Sequence, residues 1–346
     1  MAEPTPTTLA MLRLGDTNVA EYVDGRGLDP TLAPRPHLHP IRSLGGALVT
    51  DAQPVDHRWH LGLSVALQDV DGWNLWGGPT FLRDRGYTAR ADHGRIDHTG
   101  FVELRHDGFE ERLRWLTPSG EALLVEKRVI RARLVAHGWE LLISTTLTNA
   151  TDRLLRLGSP ATNGRVGAGY GGLFWRLPVR PDPWVRTVDG EGEHAVHGAT
   201  APWIAWTDRA APFTLVLSGN DPATRADPWF VRVADYPGIG SQLAARTPLL
   251  LPPAHTTTRG LLALLADDVL DDAAIQSWAA TGRLADVFET NARDAFPDRH
   301  QARSLPHDPL CSRLTQRRKA PPRHPRRLSR PHVPETTRRG FAHDHT

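Results

Sequence analysis

The stretch Asp56-His57-Arg58-Trp59-His60 concentrates side chains able to move protons, and it lies between two other dense clusters. Upstream stands Arg35-Pro36-His37-Leu38-His39-Pro40. Downstream, past a run rich in Leu, Val and Ala, stands Asp71-Gly72-Trp73-Asn74-Leu75-Trp76. Histidine titrates near neutral pH and ligates metals, and tryptophan offers a flat face to a sugar or other ring. The clustering points to a pocket. His57 and His60 are the candidate acids, with Asp56 placed to orient one imidazole. Glu126, beside Lys127 and Arg128 on an expected strand, is the candidate base. Arg35, Arg165 and Arg176 offer planar guanidinium forks to hydroxyls or a carboxylate. Trp76 and Trp175 offer stacking faces, and His39 and His98 complete the candidate binding set.

The spacing leaves orientation open. On a strand, His57 and His60 have opposite parity and face opposite sides; only a helical turn or an irregular loop makes them converge. Asp56 serves as well for capping a turn, and the tryptophans for filling a sheet core. His37, His39, His57, His60 and His98, with Asp56 or Glu126, offer donors for a mononuclear metal site, and His37 and His39 share a face if extended. No H-E-x-x-H or similar motif accompanies them, so neither metal nor cofactor is expected. Gly169-Tyr170-Gly171-Gly172 lacks the Gly-Lys-Ser/Thr of a phosphate loop and suits a bulge or a close backbone approach. There is no dinucleotide fingerprint and no nucleophile elbow.

The elements that must position these residues read mostly as β. The chain has 346 residues, enough for one large or two medium domains. Apolar or β-branched runs start at Leu61, Leu123, Trp139 and Phe213, each bounded by Gly, Pro, Asn or Asp. Strands without intervening helices predict a large antiparallel β-sandwich over about residues 10 to 265. Asp271-Asp272-Ala-Ala-Ile-Gln-Ser-Trp starts a short helix, expected over about 271 to 290. The domain is therefore set at 1–292 and a basic, Pro/Arg-rich tail at 293–346. From Arg293 onward 13 basic residues face 5 acidic ones, so the pI near 9.0 describes the tail. That tail lacks aromatic interleaving and a folded platform, so it reads as a disordered extension with no nucleic-acid partner. The single cysteine, Cys311, excludes a disulfide framework and a cysteine zinc site. No apolar run approaches membrane-spanning length and Met1–Thr8 lacks a basic-then-apolar leader, so a soluble cytoplasmic protein is expected.

Motif order adds a resemblance. Arg35-Pro36, Asp56-His57-x-x-His60, Asp69-Val70-Asp71-Gly72-x-Asn74-x-Trp76 and Gly94-Arg95-Ile96-Asp97-His98 come first. Gly169-Tyr-Gly-Gly-Leu-Phe-Trp-Arg176, Gly198 with Ala201-x-Trp203, and Asn220 with Pro228-Trp-Phe-Val-Arg232 follow. From roughly Arg35 to Leu265 the chain resembles the PmoA-like family of bacterial proteins, commonly labelled methane oxygenase. A membrane monooxygenase needs several apolar spans, and this chain has none. The resemblance implies a fold similar to the aldose-mutarotase supersandwich and a functional link to sugar oxidoreductases. It leaves two sugar-related readings. One is acid–base chemistry on a sugar or oxidised sugar, as an epimerase, lyase or hydrolase. The other is a non-catalytic carbohydrate-binding or accessory role. The chain departs from the family where Trp59 replaces a histidine and where His37 replaces an aromatic.

Overall fold

The strand Gly172–Arg176, sequence GLFWR, is apolar on both faces. Its alternation explains the architecture: Leu173 and Trp175 enter one apolar cluster, while Phe174 enters another. The computed structural model describes residues 7–281. A seven-stranded and a nine-stranded antiparallel sheet carry most of them. The smaller sheet runs Thr7–Leu14, Thr17–Asp24, His37–Ile41, Leu63–Ala66, Gly172–Arg176, Gly238–Ser241, Trp229–Arg232 in spatial order. At the centre of the larger sheet, Thr256–Ala266 pairs with both Phe213–Gly219 and Gly138–Asn149. Ala122–Val135 and Gly108–Leu116 follow, with Arg95–Arg105 at one edge. The inner faces meet in a single core, to which Leu12, Val65 and Trp175 come from one sheet and Leu113, Ile130, Leu141, Leu217 and Leu265 from the other. This is the expected all-β sandwich; the runs starting at Leu123, Trp139 and Phe213 lie within strands, and the run starting at Leu61 contains the shorter strand Leu63–Ala66.

Both sheets also bury part of their outer faces. On the larger one, Leu142, Trp203, Val216, Leu262 and Leu264 have the outward parity, and the helix Asp272–Thr281 covers them with Ile275 and Trp278. Asp271 caps that helix, its Oδ1 accepting from the Ala274 amide at 2.8 Å. The expected extension of this helix past 281, the basic tail and Cys311 lie outside the described residues. Among those described, no helix is long and apolar enough to cross a membrane.

On the smaller sheet the outward residues are Ala66, Phe174 and Phe230. Loops bring Trp76, Ala168 and Tyr170 onto them, with Trp59 and Tyr236 packed at the margin. An aromatic layer thus stands on the side of the sheet away from the main core, and it frames the site.

Candidate functional site

Asp56-His57-Arg58-Trp59-His60 adopts neither strand nor helix. The His57 amide donates to Pro54 O at 3.1 Å and the His60 amide to His57 O at 2.9 Å, two successive tight turns. These turns bring both imidazoles to one side, with ring centroids 4.6 Å apart and planes only 16° apart. His60 is buried against Trp76, Phe174 and Tyr236. Its Nδ1 has no hydrogen-bond partner. Burial, then the charges of His57, Arg176 and Arg35, hold its pKa well below the ordinary imidazole value, so the ring is neutral. His57 is half-buried, and its Nδ1 donates to Asp56 Oδ2 at 2.8 Å. Burial pushes the Asp56 carboxyl up, but the His57 hydrogen bond and Arg176 outweigh it and leave the pKa below the usual carboxylate value. An ionised Asp56 fixes the proton of neutral His57 on Nδ1, leaving Nε2 as a base. Arg176 faces the same carboxylate from behind, with Nη2 at 3.4 Å from both oxygens, and lies over the Tyr236 ring.

A polar framework beneath the aromatics sets the cleft wall. The buried Arg35 guanidinium donates to Trp59 O at 2.9 Å, Trp76 O at 3.0 Å, Ala33 O at 3.1 Å and Ser64 Oγ at 3.2 Å. It therefore ties both tryptophan-bearing loops to the sheet. Asn74 Oδ1 accepts from the Trp76 and Gly77 amides, each at 2.9 Å, and shapes the turn between them. Gly78 (φ +67°) follows, and a Cβ there would stand 2.5 Å from Trp59 Cδ2. Only glycine lets the indole settle against this turn.

The opposite wall is a chain of hydrogen bonds. Gln68 Nε2 donates to Tyr170 Oη at 2.7 Å, Tyr170 and Tyr87 share a hydrogen bond at 2.9 Å, and Arg165 Nη1 donates to Tyr87 Oη. Burial raises the pKa of both Tyr170 and Tyr236, so these phenols keep their protons. Phe230, Arg232, Asp235 and Tyr236 complete the lining. The enclosed volume is about 400 Å³, a size that accepts a small molecule.

The expected site residues divide into two groups. His57, His60, Trp76 and Arg165 line this cleft, and Asp56 and Arg176 stand directly behind it. Glu126, Arg35, His39, His98 and Trp175 do not line it. For Glu126 the reason is parity: with Leu124, Arg128 and Ile130 it points between the sheets, whereas the cleft is on the outer face of the other sheet. Its oxygens accept from Arg128 Nε at 2.7 Å, Arg128 Nη2 at 3.0 Å, Trp115 Nε1 at 2.7 Å and Thr145 Oγ1 at 2.8 Å. His98 is bound to Glu111 in the same interior network at 2.6 Å, and Glu111 also accepts from Tyr22. Trp175 has inward parity and donates to Val49 O at 2.7 Å. His39 meets Thr50 Oγ1 at 3.0 Å. His37 is buried, with Nδ1 donating to Arg35 O at 3.0 Å. The burial and the surrounding charges push its pKa down to about 3. Among the described residues, no group of three or more His, Cys, Asp or Glu side chains is placed to hold a metal ion.

Sequence reasoning passed over Gln68, Tyr87, Tyr170, Phe230, Arg232, Asp235 and Tyr236 as site residues, and took Trp59 as one of the clustered tryptophans and a replaced histidine, without placing it in the site. A signal existed for three of them. Tyr170 lies in the glycine-rich run, where a close approach to a ligand was one reading, and Phe230 and Arg232 lie in the ordered motif Pro228–Arg232. Tyr87, Asp235 and Tyr236 belong to no such pattern.

Comparison with known proteins places the chain in a family. A family model described as DUF6807, family of unknown function, matches residues 10–280. The chain belongs to DUF6807. No curated protein matches it. Among solved structures, this DUF6807 chain is similar to the Slr1438 protein of Synechocystis sp. PCC 6803. The two are 12% identical over 78% of this chain and 98% of that one, with a TM-score of 0.45. It is also similar to a galactose mutarotase related enzyme of Lactobacillus acidophilus, 10% identical over 77% of this chain and 100% of that one, with a TM-score of 0.41. None of these descriptions names the PmoA-like family; DUF6807 is the family shown.

Proposed function

We propose that the cleft binds a carbohydrate and that His57 moves a proton on it. The observation that carries this reading is the stacked pair His57–His60, set among Trp59, Trp76 and Tyr236, with half-buried His57 lining the cleft and His60 buried behind it. Aromatic faces hold the C–H side of a sugar ring, and neighbouring imidazoles serve its hydroxyls. Asp56 positions His57 and stabilises its charged form, so that Nε2 accepts a proton from a hydroxyl or an acidic C–H. His60, neutral through burial, stacks on the His57 ring and holds it in place. Tyr236, kept protonated, offers its phenolic O–H as a hydrogen-bond donor, and charged His57 returns the proton it took. Reactions of this type include ring opening at an anomeric hydroxyl and exchange at a carbon beside a carbonyl.

The test is to incubate the full-length protein with monosaccharides, keto-sugars and uronates in deuterated buffer, following anomer interconversion and C–H exchange by NMR. Catalysis of either by the wild type, lost in His57→Gln, supports the reading. Binding without exchange in any substrate would make the cleft a carbohydrate-binding site and remove the proton-transfer step.

A further inference from the structure

The donors and acceptors around the cleft are unevenly distributed. Gln68 is fixed at both ends: Oε1 accepts from the Phe81 amide at 3.4 Å, and Nε2 donates to Pro79 O at 3.3 Å and to Tyr170 Oη. Tyr170 Oη therefore accepts from Gln68, while Tyr87 Oη accepts from Arg165. The two phenols share one hydrogen bond, so whichever donates it, the proton of the other is uncommitted. Arg165 lies over the Tyr87 ring at 4.9 Å and forms no ion pair among the described residues. This wall thus presents an uncommitted phenolic O–H beside a cation that lacks a carboxylate. Arg232, which lines the same cleft, has its Nη atoms on Val231 O and Gly167 O and its charge beside Glu193 at 3.6 Å. The other lining residues that can accept are His57, His60, Gln68 and the exposed Asp235, which forms no ion pair with Arg165.

We propose that the Arg165–Tyr87–Tyr170 wall binds the carboxylate of an acidic sugar, which makes uronates and related sugar acids the substrate class of this cleft. The inference rests on the carbohydrate reading above and narrows it. A guanidinium and a phenol, both donors, match the two oxygens of a carboxylate. A neutral CH₂OH group would leave Arg165 without an anion. A single uncompensated guanidinium suits a monoanion rather than a phosphate dianion.

Calorimetric titration of the full-length protein decides it, using D-glucuronate against D-glucose, D-galacturonate against D-galactose, and glucose 6-phosphate. The expected result is at least roughly tenfold tighter binding of a uronate than of its neutral parent. Arg165→Gln should lower uronate affinity to about that of the neutral sugar, closing the gap between the two. Tyr87→Phe, which keeps the ring, should give a partial loss. Equal binding of neutral and acidic sugars, unaffected by Arg165→Gln, overturns this inference and leaves the carbohydrate reading standing. Preference for the 6-phosphate overturns the carboxylate assignment. Absence of binding by every sugar overturns both.

Discussion

Asp56 Oδ2 accepts the His57 Nδ1 proton at 2.8 Å while Arg176 Nη2 faces both oxygens of the same carboxylate at 3.4 Å. The His57 hydrogen bond and then Arg176 hold the Asp56 pKa below the ordinary carboxylate value, and an ionised Asp56 holds the His57 proton on Nδ1, the arrangement that the proposed proton transfer uses. Asp56→Asn breaks that arrangement at little cost to folding, because Asp56 is 44% exposed. The expected outcome is a drop in proton exchange of about 10²- to 10⁴-fold with the thermal midpoint nearly unchanged. Exchange in deuterated buffer and a melting curve, run on the same sample, check it. An unchanged rate would remove Asp56 from the mechanism.

Acid should unfold this protein through its neutral histidines. Burial is the leading cause that lowers the folded-state pKa of both His37, to about 3, and His60. Each is below the unfolded value of about 6.5, so the unfolded chain binds protons that the folded chain refuses. Stability is full above about pH 6.5 and is lost as pH falls from there towards the folded-state values, by at most about 1.4 kcal/mol per pH unit for each histidine. Urea midpoints at pH 7 and pH 5 should show this loss, and His37→Phe should reduce it. Equal losses in the variant and the wild type would contradict the assignment to His37.

The sandwich was legible because period-two alternation and apolar runs survive in strands such as Phe213–Gly219 and Gly138–Asn149. The meeting of His57 with His60 was legible as a cluster, but its geometry rests on two turns that no parity rule supplies. Glu126 was misplaced for a different reason. A strand pattern says which residues share a face, not which of two sheets bears the cleft. Tyr87, Tyr170, Phe230 and Tyr236 come from segments far apart in sequence, joined only by the sheet order.

Glu126 and Arg128 are expected to matter for folding rather than for the cleft. Glu126→Ala leaves the fully buried Arg128 short of its main counter-charge and should cost about 3–5 kcal/mol in urea unfolding. Glu126→Gln keeps several of the hydrogen bonds and should cost less. Sugar binding by folded Glu126→Gln should match the wild type; a binding defect without a stability defect would bring Glu126 back into the site.

Gly78→Ala probes the wall without removing any aromatic. Its Cβ would overlap the Trp59 indole at 2.5 Å, at a left-handed φ of +67°. A loss of about 1–3 kcal/mol is expected, along with altered tryptophan fluorescence and weaker ligand binding. Wild-type fluorescence and affinity in the variant would show that Trp59 does not form this wall.

Every role assigned to His57 and His60 depends on sugar binding in the aromatic cleft beside them. Thermal shift of the full-length protein against a panel of monosaccharides, keto-sugars, uronates and glycosides tests it most directly, because a ligand of the folded state raises the midpoint with its concentration over Kd. The expected result is a concentration-dependent rise with one sugar class in the wild type, abolished by Trp76→Ala and by His60→Ala when each variant is compared with its own unliganded midpoint. No rise with any sugar, or a rise that both variants retain, would contradict it.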